Sequence, residues 1–146
     1  MTGELPGRRL LRFRAAGEMY ACDLGVVREI VRVRPVTRLP GTPAWVMGIM
    51  NLRGTLLTVV DLSARLGGTD VRPPAVVMVV EAAGRRIGLG VEAVVDVADA
   101  AAPAGDEDAW HDAGSARAGA VNLGDGAGGA VQWCEVDAIA REALAV

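Results

Sequence analysis

Not one lysine occurs among the 146 residues; all fifteen basic side chains are arginine. A phosphate-binding loop places a lysine behind its glycines, so Gly67-Gly68 and the glycine-rich stretch 124–129 read as turn chemistry instead. Histidine is as scarce. His111 stands alone beside Asp108 and Asp112, and a single imidazole does not complete a metal's ligand set. No serine lies in the strand-to-helix setting of a nucleophile elbow. These absences leave no catalytic constellation, metal or cofactor to expect, and the chain reads as a protein that is not an enzyme.

Aromatic side chains are 3% of the chain, so alanine, valine and leucine must fill its interior. The arginines are scattered along strands without interleaved aromatics, which argues against nucleic acid as a partner. Only two cysteines are present, Cys22 and Cys134. Each falls inside an apolar strand, where a buried, reduced thiol is the ordinary state in the cytoplasm. The longest apolar run, 75–80, is far below the roughly 20 residues that span a bilayer, so no direct membrane insertion is expected. Arg8-Arg9 suits a twin-arginine export signal, but Arg12 and Arg14 interrupt the apolar segment such a signal requires.

What is present is an apolar chain, 51% hydrophobic, long enough for one domain or two small barrels sharing a boundary. Its charge is uneven. Residues 1–72 hold eleven arginines against six acids, and residues 73–146 hold four against twelve. Halves of opposite sign suit head-to-tail association or partners of mixed charge.

Residues 1–9 read as a flexible tail. Leu11, Phe13 and Ala15 alternate with arginines as a half-buried strand, and Met19 to Leu24 returns after a turn at Gly17. From Val26 to Val33 the apolar residues fall at 26, 27, 30, 31 and 33, a spacing that predicts a short amphipathic helix with Arg28, Glu29 and Arg32 outside. In such a helix Glu29 could pair with Arg32. Pro35, Pro40 and Pro43 then space a crossing that neither helix nor central strand accepts. Val46 to Leu52 and Leu56 to Val60 are apolar strands joined at Arg53-Gly54. Asp61 caps a short helix that stops at Gly67. Strands follow at 75–82 and 86–91, with a helix over 92–100. After an acidic loop over 101–118, strands are expected at 120–123 and 130–134, and a closing helix over 137–144.

The run Pro40-x-x-Pro43-x-x-Val46-x-Gly48-x-x-Asn51-Leu52-Arg53-Gly54, followed by a strand ending in Asp61-Leu62, resembles the CheW-like domain of bacterial chemotaxis. Tyr20 to Leu24 and Val27-Arg28-Glu29-Ile30 carry the resemblance upstream. It covers most of residues 10–97 and weakens from Ala98 onward. The second half departs from the family pattern in its small residues after Gly119 and in Trp133 and Cys134.

Independently, a shift of 67 lays Phe13 on Val80, Gly17 on Gly84, Tyr20 on Ile87 and Glu29 on Asp96, which suggests two copies of a strand–strand–helix–strand–strand–helix unit. Further on, Gly48-x-x-Asn51-Leu52 matches Gly119-x-x-Asn122-Leu123, a shift of 71, so Gly124 faces Arg53, which has no counterpart. The resemblance implies a mainly β fold: a single CheW-like domain over 10–146 made of two SH3-like five-stranded β-barrel subdomains with short helices. These would be about 10–72 and 73–146, with ends exchanged or shared at the boundary. It further implies a non-catalytic adaptor between a chemoreceptor's cytoplasmic helical tip, that of a methyl-accepting chemotaxis protein, and the CheA-like regulatory domain of a histidine kinase. Such an adaptor would sit in the cytoplasm at receptor arrays near the inner face of the membrane. Val27, Glu29, Ile30 and Arg53 become the candidate receptor-binding residues; the kinase-binding surface is unassigned. The rival reading is a general two-barrel peptide-binding module in a signalling cluster outside chemotaxis.

Overall fold

Alternation at Leu11, Phe13 and Ala15 does build a strand, the first of eleven among the described residues. A computed structural model describes residues 9–67, 72–82, 84–99, 117–122 and 130–144. Its elements are β1 (Arg9–Ala15), β2 (Glu18–Asp23), a 3-10 turn (Leu24–Val26), β3 (Val27–Arg32), β4 (Val36–Thr37), β5 (Val46–Leu52), β6 (Thr55–Asp61) and α1 (Leu62–Leu66). The second half adds β7 (Val76–Ala82), β8 (Arg85–Val91), β9 (Ala93–Asp99), β10 (Arg117–Asn122), β11 (Ala130–Cys134) and α2 (Val136–Leu144). The fold is mainly β with short helices. Of the tail expected over 1–9, Arg9 already belongs to β1; residues 1–8 and the loop with His111 lie outside the described residues.

Two sheets form, in the strand orders β10-β11-β2-β1-β9 and β3-β7-β8-β6-β5-β4. The expectation of five strands in each is corrected for the second, which has six. The extra strand is β4, two residues long between Pro35 and the Pro40 crossing, paired as Val36↔Met50 and Thr37↔Ile49. Each sheet takes strands from both sides of residue 72. The hairpin β1–β2 joins β9, β10 and β11, and the hairpin β7–β8 joins β3 to β6. The joints on one side are parallel, Tyr20↔Gln132 in one sheet and Val60↔Leu89 in the other.

The helices expected over 26–33 and 92–100 are strands β3 and β9. Both carry a bulge: β3 pairs Val27↔Val80 and then Glu29↔Val79, and β9 opposes Val94 to Phe13 and Asp96 to Arg12. One extra residue turns the strand spacing of two into three across the bulge. Val27 and Ile30 therefore share a face, which imitates a helical period. Five of the eight residues from Val26 to Val33 are β-branched, and these favour the pleated surface.

The largest core lies between the sheets. It joins Phe13, Tyr20 and Cys22 from the first hairpin to Val80, Ile87 and Leu89 from the second, with Val60, Leu62 and Ile139. Burying one such aliphatic or aromatic side chain stabilises by about 1.5–3 kcal/mol. A smaller cluster of Leu10, Ala21, Val131 and Trp133 backs the first sheet. Met50, Leu52, Leu57, Val59, Val77 and Val79 back the second. Val31 and Val36, from opposite ends of the six-strand order, pack on this last cluster, so the sheet curls around it. Gly88 faces inward there, where a Cβ would come 2.8 Å from Val77 Cγ1.

Polar contacts fix the ends. The buried Ser63 hydroxyl accepts the Ala16 N–H at 2.8 Å, holding the β1–β2 turn against α1. The Asp61 side chain caps α1 by accepting the Ala64 N–H, and left-handed Gly67 ends it. Arg65 clasps α2 through Glu142 at 2.7 and 2.6 Å and lies over the Trp45 ring. Cys22 and Cys134 are buried free thiols; burial, and then Asp23, pushes Cys22 up to about 12, and burial raises Cys134 as well.

Two predictions follow from this architecture. Because neither sheet can be built from one half, residues 1–72 and 73–146 made separately should each lack a cooperative transition, and mixing them should restore one by circular dichroism. A cooperative melt from either half alone would refute the exchange. Second, Gly48 sits at φ +139, where a Cβ would lie 2.1 Å from the Thr37 carbonyl oxygen on β4. Gly48→Ala should cost more than about 4 kcal/mol. Gly41→Ala, at φ +78 with nothing within 4 Å, should cost only about 1–2 kcal/mol. Urea titrations giving the two variants equal midpoints would contradict this.

Candidate functional site

Asn51, Leu52, Arg53 and Gly54 form the turn between β5 and β6. Two residues reverse the chain there, Arg53 at φ 51 and Gly54 at φ 86, the paired positive angles that short hairpin turns demand. Glycine takes such an angle freely, whereas arginine pays about 1–2 kcal/mol. The Asn51 side-chain oxygen accepts the Gly54 N–H at 2.9 Å and secures the turn. Each member of the motif thus has a structural task, and Arg53 is left projecting from a rigid support.

Arg53 meets Glu29. Its Nη2 donates to both oxygens of the Glu29 carboxylate, with the arginine 65% and the glutamate 32% exposed. The bulge at Arg28 makes this possible. Directly paired residues share a sheet face, so Glu29 lies with Val79 on the inner face of the curled sheet, and Ile30 lies with Met78 on the other. The four candidate residues therefore divide. Glu29 and Arg53 come together at the mouth of the curl. Val27 packs against the core between the sheets, and Ile30 is 44% exposed. The Glu29–Arg32 pairing that a helix would allow is replaced by the longer-range pair with Arg53.

The mouth is a charged rim around an apolar floor. An open cleft of about 200 Å³ is lined by Glu29, Leu52, Arg53, Thr55, Leu57, Val79 and Arg86. Beside it, Arg28 donates through Nε to Glu81 at 2.7 Å and through Nη1 to the Gly25 carbonyl at 3.0 Å. The hydrogen bond from Arg28 holds the Glu81 carboxyl below its usual range, with smaller help from the charges of Arg28 and Arg86. Sequence reasoning passed over Arg28, Glu81 and Arg86. The only signal was the Arg85-Arg86 pair directly after Gly84, and it reads as ordinary turn polarity.

The first sheet repeats the device with different residues. Asp96 stands after its own bulge where Glu29 stands in β3, and Arg12, from the adjacent strand, grips both its oxygens. Hydrogen bonding by Arg12 holds the Asp96 carboxyl below its usual range. Arg12 occupies the place that Val79 has in the second sheet, so the apolar floor found under Arg53 is here an arginine stem. Among the described residues no group of three or more His, Cys, Asp or Glu side chains could hold a metal ion. No described helix is long and apolar enough to cross a membrane.

Comparison with known proteins agrees with the motif. The family model for the CheW-like domain matches residues 9–144. The chemotaxis protein CheW of Rhizobium meliloti is 41% identical over 93 residues, 62% of this chain and 60% of that protein. The chemotaxis protein CheW of Klebsiella aerogenes is 33% identical over 99 residues, 66% of this chain and 60% of that protein. The matched segments thus span less than two thirds of these relatives. A crystal structure of the scaffolding protein TtCheW from Thermoanaerobacter tengcongensis superposes with a TM-score of 0.69 at 27% identity, covering 88% of this chain and 89% of that one.

The rim makes a titration prediction. A lowered folded-state carboxyl pKa contributes stability that is present above the unfolded value and lost as pH falls through the folded one. Arg28→Gln should let Glu81 titrate closer to an ordinary glutamate, read from its side-chain carboxyl carbon by NMR, and should shrink that acid-side loss of stability. An unmoved Glu81 titration would show that Arg28 is not its partner in solution.

Proposed function

The chain belongs to the CheW-like domain family, and from that premise we propose that it is a non-catalytic adaptor coupling the cytoplasmic helical tip of a chemoreceptor to a histidine autokinase. It would work in the cytoplasm, at receptor arrays near the inner face of the membrane, and contact the kinase through that enzyme's regulatory domain. Its work consists of contacts, with no covalent step. The observation that carries this reading is the Arg53–Glu29 pair at an open, apolar-floored cleft, built by the motif that marks the family.

The receptor-facing surface in this reading is the edge of the second sheet. β3 is an edge strand, so a helix lying along it can touch both of its faces. On one face Arg53 offers a planar guanidinium that stays charged at any relevant pH and suits carboxylate or carbonyl acceptors. Glu29 aims it. On the other face Ile30 supplies exposed apolar surface, and Val27 supports it from the core. Helix-on-edge docking of this kind gains affinity from apolar anchors and orientation from the charge.

Arg53→Glu should weaken binding of a receptor cytoplasmic hairpin by a few kcal/mol, the range for losing a desolvated charge contact. The melting temperature should hardly move, because an exposed ion pair is worth about 0–1 kcal/mol. Calorimetric titration with the hairpin, alongside a thermal melt, separates the outcomes. A variant that unfolds makes Arg53 structural, and one that keeps both stability and affinity removes the cleft from the receptor surface.

A further inference from the structure

The rim of the second sheet holds three arginines and two carboxylates. Arg28 is taken by Glu81, and Arg53 by Glu29. Arg86 lines the same cleft, is exposed, and makes no hydrogen bond or ion pair with any described residue. Its cross-strand neighbour is Glu81, but that carboxylate already accepts Arg28 at 2.7 Å. Cross-strand register puts Arg86 on the face that carries Val79 and Gly88, so its stem rises from the apolar floor and its charge stands at the opening. The 67-residue shift puts Met19 at the equivalent place in the first sheet, where the arginine stands instead on its register partner, Arg14.

We propose that Arg86 is a second cation, beside Arg53, through which this cleft recognises its partner, pairing with a carboxylate whose neighbouring aliphatic side chain covers Leu52, Leu57 and Val79. The inference deepens the coupling function and rests on it. The charge balance decides the ligand chemistry. The cleft's own charges, Glu29, Arg53 and Arg86, leave one positive charge uncompensated, so an acidic partner segment completes the set and a basic one is repelled. Arg53 has its Nη2 held and its charge balanced by Glu29, so it orients a partner without adding net attraction. Arg86 has only a minor charge interaction with Glu81 to give up, and an exposed rim charge acts mainly on association rate and salt dependence.

The test uses the full chain and a purified chemoreceptor cytoplasmic hairpin from the same genome, with association followed by stopped flow at low and high salt. Arg86→Gln should slow low-salt association about three- to tenfold and flatten its salt dependence. Arg86→Lys should restore most of both, since steering needs charge rather than a planar fork. Neutralising the hairpin's acidic residues one at a time should reveal a single carboxylate whose effect vanishes in the Arg86→Gln background. If wild-type chain binds the hairpin and Arg86→Gln matches it in rate and salt dependence, the role of Arg86 is overturned while the coupling function stands. If wild-type chain does not bind the hairpin, the coupling function falls and the inference with it.

Discussion

A two-stranded hairpin has no secure existence alone in water, and this molecule meets that constraint by lending. The hairpin β1–β2 lies within a sheet completed by β9, β10 and β11, and β7–β8 lies within one completed by β3 to β6. The apolar cluster between the sheets consequently draws on both lent hairpins and on both helices. The parallel joints β2·β11 and β6·β8 have no tight turn to set their register. That register must come from side chains, which is where Tyr20, Cys22, Val60 and Leu89 are buried.

The order of elements was written in the sequence more plainly than their kind. A shift of 67 carries Arg9–Ala15 onto Val76–Ala82 without remainder, and the turns at Gly17, Gly54 and Gly84 all take the left-handed angle that glycine signals. Asp61 and Gly67 bound α1 as their chemistry indicates. The errors fell at β3 and β9, and both have the same cause. A bulge inserts a third residue between inward positions, and period counting cannot tell that from a helical turn. Arg53 could be found because a turn motif surrounds it. Its bond to Glu29, 24 residues away, could not, since it depends on how far a sheet curls. Arg86 was hidden for a similar reason: nothing local separates a cation facing the floor of a cleft from one facing open water.

The duplicated bulge shows how one backbone device serves two chemistries. Glu29 and Asp96 follow equivalent extra residues, and each carboxylate is held by an arginine. In the first sheet that arginine, Arg12, arrives from within the sheet and covers the floor with its stem. In the second, Arg53 arrives from a turn outside it, and Val79 leaves the floor open. A single difference in the origin of the counter-charge separates a floor laid with an arginine stem from an apolar one. The rim over the apolar floor also keeps a charge to spare.

The exchange of hairpins bears as well on how such a fold can close at all. One unit alone would leave its lent hairpin and its incomplete sheet each seeking a second copy, so closure would be an encounter between molecules, dependent on their concentration. With both units on one chain, the same pairing becomes a search within a tethered volume, equivalent to an effective concentration in roughly the millimolar range. Dilution then has no hold on the fold. The length of chain between α1 and β7 then sets how quickly the two halves find each other.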